Sequence, residues 1–178
     1  MKRLIAIVGL LVCVFALVAG ASAQENLTFA DLPSVSVPSP MPNGYGQLQW
    51  ENFFYVNPTG DAGAGLGYQL GPANRDVVFI GAKSCRLVGY TCYGTLSNAQ
   101  GFQLVSMTAA AGSKPTLITV TAYNNGKFIG SSNFLLSYQL ENTLTFPDWG
   151  IVTEVVIQVS SGADDFVLYN MSVYTLGG

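Results

Sequence analysis

Aromatic rings set among amides and carboxylates are the clearest chemistry in this sequence. Residues 45–55 hold Tyr45, Trp50, Phe53, Phe54 and Tyr55, interleaved with Gln47, Gln49, Glu51 and Asn52. An exposed ring can cover the apolar face of a pyranose while neighbouring amides and acids meet its hydroxyls. In an extended strand Leu48, Trp50, Phe54 and Val56 share one face, the pattern of a core. That puts Phe53 and Tyr55 on the other face with Gln49 and Glu51, as surface candidates. Tyr90 and Tyr93 flank a loop closed by Cys85 and Cys92, where stiff rings either meet a ligand at low entropic cost or cover a sheet edge. Trp149 falls in the turn Phe146-Pro147-Asp148-Trp149-Gly150, placed to act as a platform or to plug one end of a core. The candidate carbohydrate contacts are therefore Tyr45, Phe53, Tyr55, Tyr90, Tyr93 and Trp149.

Bond-breaking chemistry finds less support. The chain has no histidine, which removes imidazole-based triads and His-ligated metal sites. Glycoside hydrolysis needs two carboxyls roughly 5–10 Å apart. Glu51 with Glu154 or Asp148 is the best pair on offer, but both glutamates fall on polar strand faces, where solvation is the default. The glycine-rich run Gly60-Asp61-Ala62-Gly63-Ala64-Gly65-Leu66-Gly67 lacks the lysine of a phosphate-binding loop and reads as a flexible connection. No catalytic residue is assigned.

The elements that must carry these residues begin with a leader. Lys2 and Arg3 precede an apolar run from Leu4 to about Val18, and Ala21-Ser22-Ala23 fits a cleavage site before Gln24. The run is short for a membrane span of about 20 residues. The expectation is export with a signal peptide over residues 1–23, one domain over 24–178, an extracellular location and no membrane insertion after cleavage. Losing Lys2 and Arg3 leaves five of the seven basic residues against ten acidic ones, a net charge of −5. So few cations, without a basic cluster, exclude a nucleic-acid partner. An oxidising destination suits a Cys85–Cys92 disulfide closing a tight loop. Two sequons, at Asn26 and Asn170, become glycan acceptors if the source is a eukaryote.

Past the leader the apolar residues alternate with a period of two. Strands are expected at residues 27–31, 48–56, 76–82, 102–109, 117–123, 127–137, 142–146, 151–159 and 167–173. Asn124-Asn125-Gly126 supplies the positive-φ residues of a tight hairpin. Ile118, Val120 and Ala122 are expected inside, with Thr119, Thr121 and Tyr123 outside. Ile151, Thr153, Val155, Ile157 and Val159 form one inward row, and Val167, Tyr169, Met171 and Val173 another. The Pro/Ser-rich residues 33–44 connect the first strand to the body. Short strands at this spacing, with no capped helical stripe, predict an all-β antiparallel sandwich of jelly-roll type.

Three stretches carry a family resemblance. They are Leu27-Thr28-Phe29-Ala30-Asp31-Leu32, Pro42-Asn43-Gly44-Tyr45-Gly46-Gln47-Leu48-Gln49-Trp50-Glu51-Asn52-Phe53, and Phe166-Val167-Leu168-Tyr169-Asn170-Met171-Ser172-Val173. Together they resemble secreted jelly-roll proteins of bacteria, often with a PEP-CTERM sorting tail, and of fungi. That group has an F-x-D-L opening, a G-Y-x-x-L-x-W-x-N-F block and a closing D-N-hydrophobic strand. It is similar in architecture to carbohydrate-binding modules, and its functions are mostly unassigned. The resemblance implies a non-catalytic binding module for carbohydrate or cell-surface glycans. The alternatives are a secreted factor with a host or partner protein as ligand, and a small polysaccharide-active enzyme. No cofactor is required. A structural calcium, as such modules hold, would draw on Asp31 with Asp164 or Asp165, although Tyr169 stands where the closing acid belongs.

Overall fold

The computed structural model describes residues 23–60, 65–71, 76–80, 92–160 and 165–176. These residues form eleven strands: β1 (Ala23–Leu27), β2 (Ser39–Pro40), β3 (Gln49–Glu51), β4 (Phe54–Val56), β5 (Val77–Ile80), β6 (Cys92–Ala111), β7 (Thr116–Asn124), β8 (Lys127–Leu136), β9 (Asn142–Thr145), β10 (Val152–Val159) and β11 (Phe166–Thr175). Every pairing among them is antiparallel. The hydrogen-bonded path runs β2-β4-β5-β11-β6-β10-β7-β8, with β1 on β11 and both β3 and β9 on β6.

One strand turns this path into two layers. The first part of the 20-residue β6 lies between β3 and β10, and the second between β11 and β9. The corner falls where β10 skips from the Glu154–Ser97 pair to the Val152–Phe102 pair. Gly101 there has φ +95°, which L side chains rarely adopt. Buried Asn98 fixes the bend: its Nδ2 donates to the Gln47 carbonyl at 2.9 Å, and its Oδ1 accepts from the Gln100 N–H at 2.8 Å. A strand that changes sheet at such an irregularity is how sandwiches make corners. The first layer is β3–β6–β10–β7–β8; the second holds β1, β2, β4, β5, β11, the rest of β6 and β9.

The core lies between the layers. Leu96, Val120 and Ile157 from the first meet Phe102, Met107, Leu144 and Met171 from the second in one cluster. Each such side chain fully buried is worth about 1.5–3 kcal/mol. A smaller cluster of Val56, Tyr68, Val77, Phe79, Ala110, Val167 and Tyr169 covers part of the second layer's outer side, beneath the single helical turn α1 (Leu66–Gln69).

The expected alternation holds where strands are regular and fails at their breaks. Asn125 and Gly126, at φ 49° and 75°, close the hairpin as the Asn-Gly pair predicts. Ile118, Val120 and Ala122 are buried. The first strand, however, is 23–27 rather than 27–31, because Phe29 takes a left-handed φ of 59° and turns the chain inward. Ile151 is exposed, since the shift between Val152 and Glu154 changes the face. Residues 48–56 are two strands in different layers: β3 pairs with β6, β4 with β5, and Asn52 at φ 61° makes the crossing.

Candidate functional site

That crossing decides the fate of the first aromatic group. After the left-handed Asn52 the alternation restarts, so Trp50, Phe53 and Tyr55 all point into the core, at 5, 2 and 7% exposure. Trp50 and Phe53 meet edge to face at 5.2 Å. Phe53 and Tyr55, expected on the surface, are therefore core residues, out of reach of a sugar. Tyr45 is half-buried against Phe29 and Trp50, and its hydroxyl donates to Asp31 Oδ1 at 2.6 Å. Burial, then this hydrogen bond, hold its phenol well above the ordinary range. An open cavity of about 610 Å³ lies alongside, lined in part by Glu25, Asn26, Asp31 and Tyr45.

Trp149 is half-buried, 5.2 Å from Phe146, and packs onto Gly130 of β8, where a Cβ would come within 2.5 Å of the indole nitrogen. Phe146 meets Phe134 edge to face at 5.6 Å. The ring thus closes the margin of the sandwich, leaning on the core. Beside it Asp148 Oδ1 accepts from the Gly150 N–H and from Gln103 Nε2. Tyr90, Cys85 and Asp164 lie outside the described residues, whereas Cys92, at the start of β6, packs against the core.

Tyr93 is different. It is 48% exposed on the outer face of the first layer, and the pairing sets rows of mostly polar side chains on one side of it, with exposed Leu117 and Leu135 on the other. Gln158 stands opposite Tyr93 and opposite Thr119, which in turn faces Asn133. The next row joins Glu51, Thr95, Val156, Thr121 and Ser131. The third joins Gln49, Ser97, Glu154 and Tyr123, with Phe128 at its end. Tyr123 and Phe128 meet edge to face at 6.2 Å, Phe128 being 58% exposed. Thr119 Oγ1 donates to Asn133 Oδ1 at 2.7 Å, which fixes the orientation of that amide. Two aromatic positions thus flank ranks of hydroxyls, amides and two carboxylates on a rigid sheet.

Sequence reasoning placed Tyr123 on this outer side but did not count it as a contact, and it missed Phe128. The signal was present, because an Asn-Gly hairpin sets the residues before and after it opposite each other. Glu51 and Glu154 share the face but lie on strands either side of β6. Asp148 belongs to the Trp149 turn.

Of the acids named for calcium, the two among the described residues accept tyrosine hydroxyls. Asp31 takes the Tyr45 hydroxyl, and Asp165 Oδ2 accepts the Tyr68 hydroxyl at 2.7 Å. Among the described residues no group of three His, Cys, Asp or Glu side chains could hold a metal ion. Asn26 and Asn170 are both exposed, on neighbouring strands of the second layer, with Asn26 paired to Ser172. No helix among the described residues is long and apolar enough to cross a membrane.

No family model matches the chain, and no curated protein matches it. The likeness to the bacterial and fungal jelly-roll group thus rests on its motif residues. Among solved structures, the K2 cleaved adhesin domain of Lys-gingipain is similar over 86% of this chain and 99% of its own, with a TM-score of 0.51 and 11% identity. TmCBM61, solved with β-1,4-galactotriose, is similar over 71% of this chain and 86% of its own, with a TM-score of 0.43 and 10% identity. The lectin binding domain of lectinolysin, complexed with Lewis b, is similar over 89% and 95%, with a TM-score of 0.42 and 8% identity. The solved neighbours thus include adhesin and carbohydrate-binding domains, and the likeness to the K2 domain supports the all-β sandwich-like architecture.

Proposed function

We propose that this protein is an exported, non-catalytic module that binds neutral carbohydrate on the outer face of its first layer. The observation that carries the reading is the juxtaposition there of exposed Tyr93 and the Tyr123–Phe128 pair with hydroxyl and amide side chains in register. Rings on strands are held in place, so contact costs little conformational entropy, and the hydroxyl and amide side chains match the donors and acceptors of a sugar. Among the described residues, the carboxylates of this face, Glu51 and Glu154, have no cation beside them in its pairing register, which disfavours an acidic glycan. Glycans at Asn26 and Asn170 would sit on the second layer and leave this face open. Export after cleavage at Ala23 and a Cys85–Cys92 bridge complete the proposal.

Titration of the purified protein against a panel of neutral polysaccharides tests it. Binding that disappears in Tyr93→Ala and in Phe128→Ala, and survives in Trp149→Ala, is the expected result. Absence of binding to every glycan overturns the reading, as does release of reducing ends by the wild-type protein.

A further inference from the structure

The free margins of the two layers are not alike. A strand edge exposes unpaired N–H and C=O groups, and proteins blunt it by brevity, proline or charge. Among the described strands, β2 spans two residues and includes Pro40, β3 spans three and β9 four. β1 spans five and carries Glu25. β8 is the exception: ten residues at the end of the path, paired on one side to β7, with no proline and one charge, Lys127, at its first position. It also exposes apolar side chains beside Ser131 and Asn133, with Phe128, Ile129 and Leu135 at 58, 37 and 71% exposure. Its bulge, at Ile129, lies near the hairpin and leaves residues 130–136 in regular register with β7.

We propose that β8 is a self-association edge, pairing antiparallel with β8 of a second copy about a twofold axis through Ser132. The argument for a second copy is that the strand is complementary to itself. Antiparallel partners must present side chains to the same face, so the axis has to pass through a residue rather than between two. With Ser132 on the axis, Ser131 stands opposite Asn133 and Gly130 opposite Phe134. Exposed Ile129 then meets exposed Leu135, covering both. Lys127 falls opposite Ser137, beyond the strand's end, so no like charges meet. The closed twofold symmetry removes both free edges at once, which limits growth to a dimer. Two first layers would join into one continuous sheet, bringing the Tyr123–Phe128 pairs of both copies onto one surface. This inference does not depend on what that surface binds.

Sedimentation equilibrium of the purified protein, with hydrogen exchange over a range of concentrations, tests it. The expected results are a monomer–dimer equilibrium and protection of β8 amides that rises with concentration. Ile129→Lys combined with Leu135→Lys should weaken the dimer about tenfold or more, because both are solvent-facing and the paired positions then carry like charges. Thr143→Lys, on the edge strand β9, should leave it unchanged. A monomer at all accessible concentrations overturns the proposal, as does a dimer whose β8 amides exchange as in the monomer. Should the double variant misfold, the exchange pattern of the wild type still decides.

Discussion

The indole N–H of Trp50 donates to the main-chain carbonyl of Tyr45 at 2.9 Å. The same tryptophan meets Phe29 edge to face at 6.0 Å, and the Tyr45 hydroxyl reaches Asp31. The F-x-D-L opening and the G-Y-x-x-L-x-W-x-N-F block are therefore two halves of one joint. Gly44, at φ 88°, and Asn52, at φ 61°, supply its left-handed backbone, and Leu48, Trp50 and Phe53 fill it. The motif residues that carry the family resemblance build the sandwich, and of that block only the intervening Gln49 and Glu51 reach the proposed binding face.

Truncating the joint should show in stability. Trp50→Phe removes the donor and leaves a carbonyl short of its partner, so a loss of about 1–3 kcal/mol is expected. Tyr45→Phe, deleting a hydrogen bond nearer the surface, should cost about 1 kcal/mol. Urea denaturation of each variant measures both. Equal losses would mean that the indole hydrogen bond holds the joint no more strongly than the phenol does.

The buried and exposed aromatics should separate cleanly. Phe53→Ala opens a void in the core and should cost about 3–5 kcal/mol. Tyr93→Ala removes a ring that is 48% exposed and should cost less than about 1 kcal/mol while abolishing glycan binding. Thermal melts set beside binding isotherms check the pair. A Tyr93 variant that loses stability as well as binding would make the residue structural.

Much of this architecture was legible in the period-two pattern and the Asn-Gly turn, because both act locally. The faces of 117–123 follow from alternation alone. What alternation cannot show is where a strand changes layer. A lone Asn at 52, with no glycine after it, is only a weak signal for a left-handed residue, and from that one dihedral Phe53 and Tyr55 reverse from surface to core. β6 hid for a similar reason. Its first ten residues, with Gly94, Gly101 and scattered polar side chains, read as loop until Gln49, Trp50 and Glu51 are seen paired against them. The binding face was half visible, through Tyr93 and the outward side of β7, but its assembly depends on pairing between strands distant in sequence.

Gly67 should tolerate no side chain. A Cβ there would come within 1.6 Å of the Ala111 carbonyl oxygen, which is backbone and cannot step aside. The same residue donates its N–H to the Gly112 carbonyl at 2.8 Å and accepts the Tyr169 hydroxyl, so it ties α1 to the outside of the second layer. Gly67→Ala is expected to destabilise by about 3 kcal/mol or more and to release Tyr169. Hydrogen exchange should localise the loss to α1 and β11. Unchanged exchange there would mean that the helical turn does not hold the layer.

Asp76 gives a dependence on pH with a definite sign. It is 5% exposed, and its Oδ1 has no hydrogen-bond partner among the described residues. Burial raises its carboxyl above the ordinary 3.8. Between 3.8 and the raised value the folded chain holds a proton that the unfolded chain has released, so this group's contribution falls as pH rises through that window. Above it the ionised carboxylate is a constant burden. Asp76→Asn should therefore stabilise the protein at pH 7, by about 1 kcal/mol or more, and the advantage should shrink as pH falls toward 3.8. Denaturation midpoints of both proteins across pH 3–8 decide it: a variant less stable than wild type at pH 7 would mean that the carboxylate is satisfied in the folded chain.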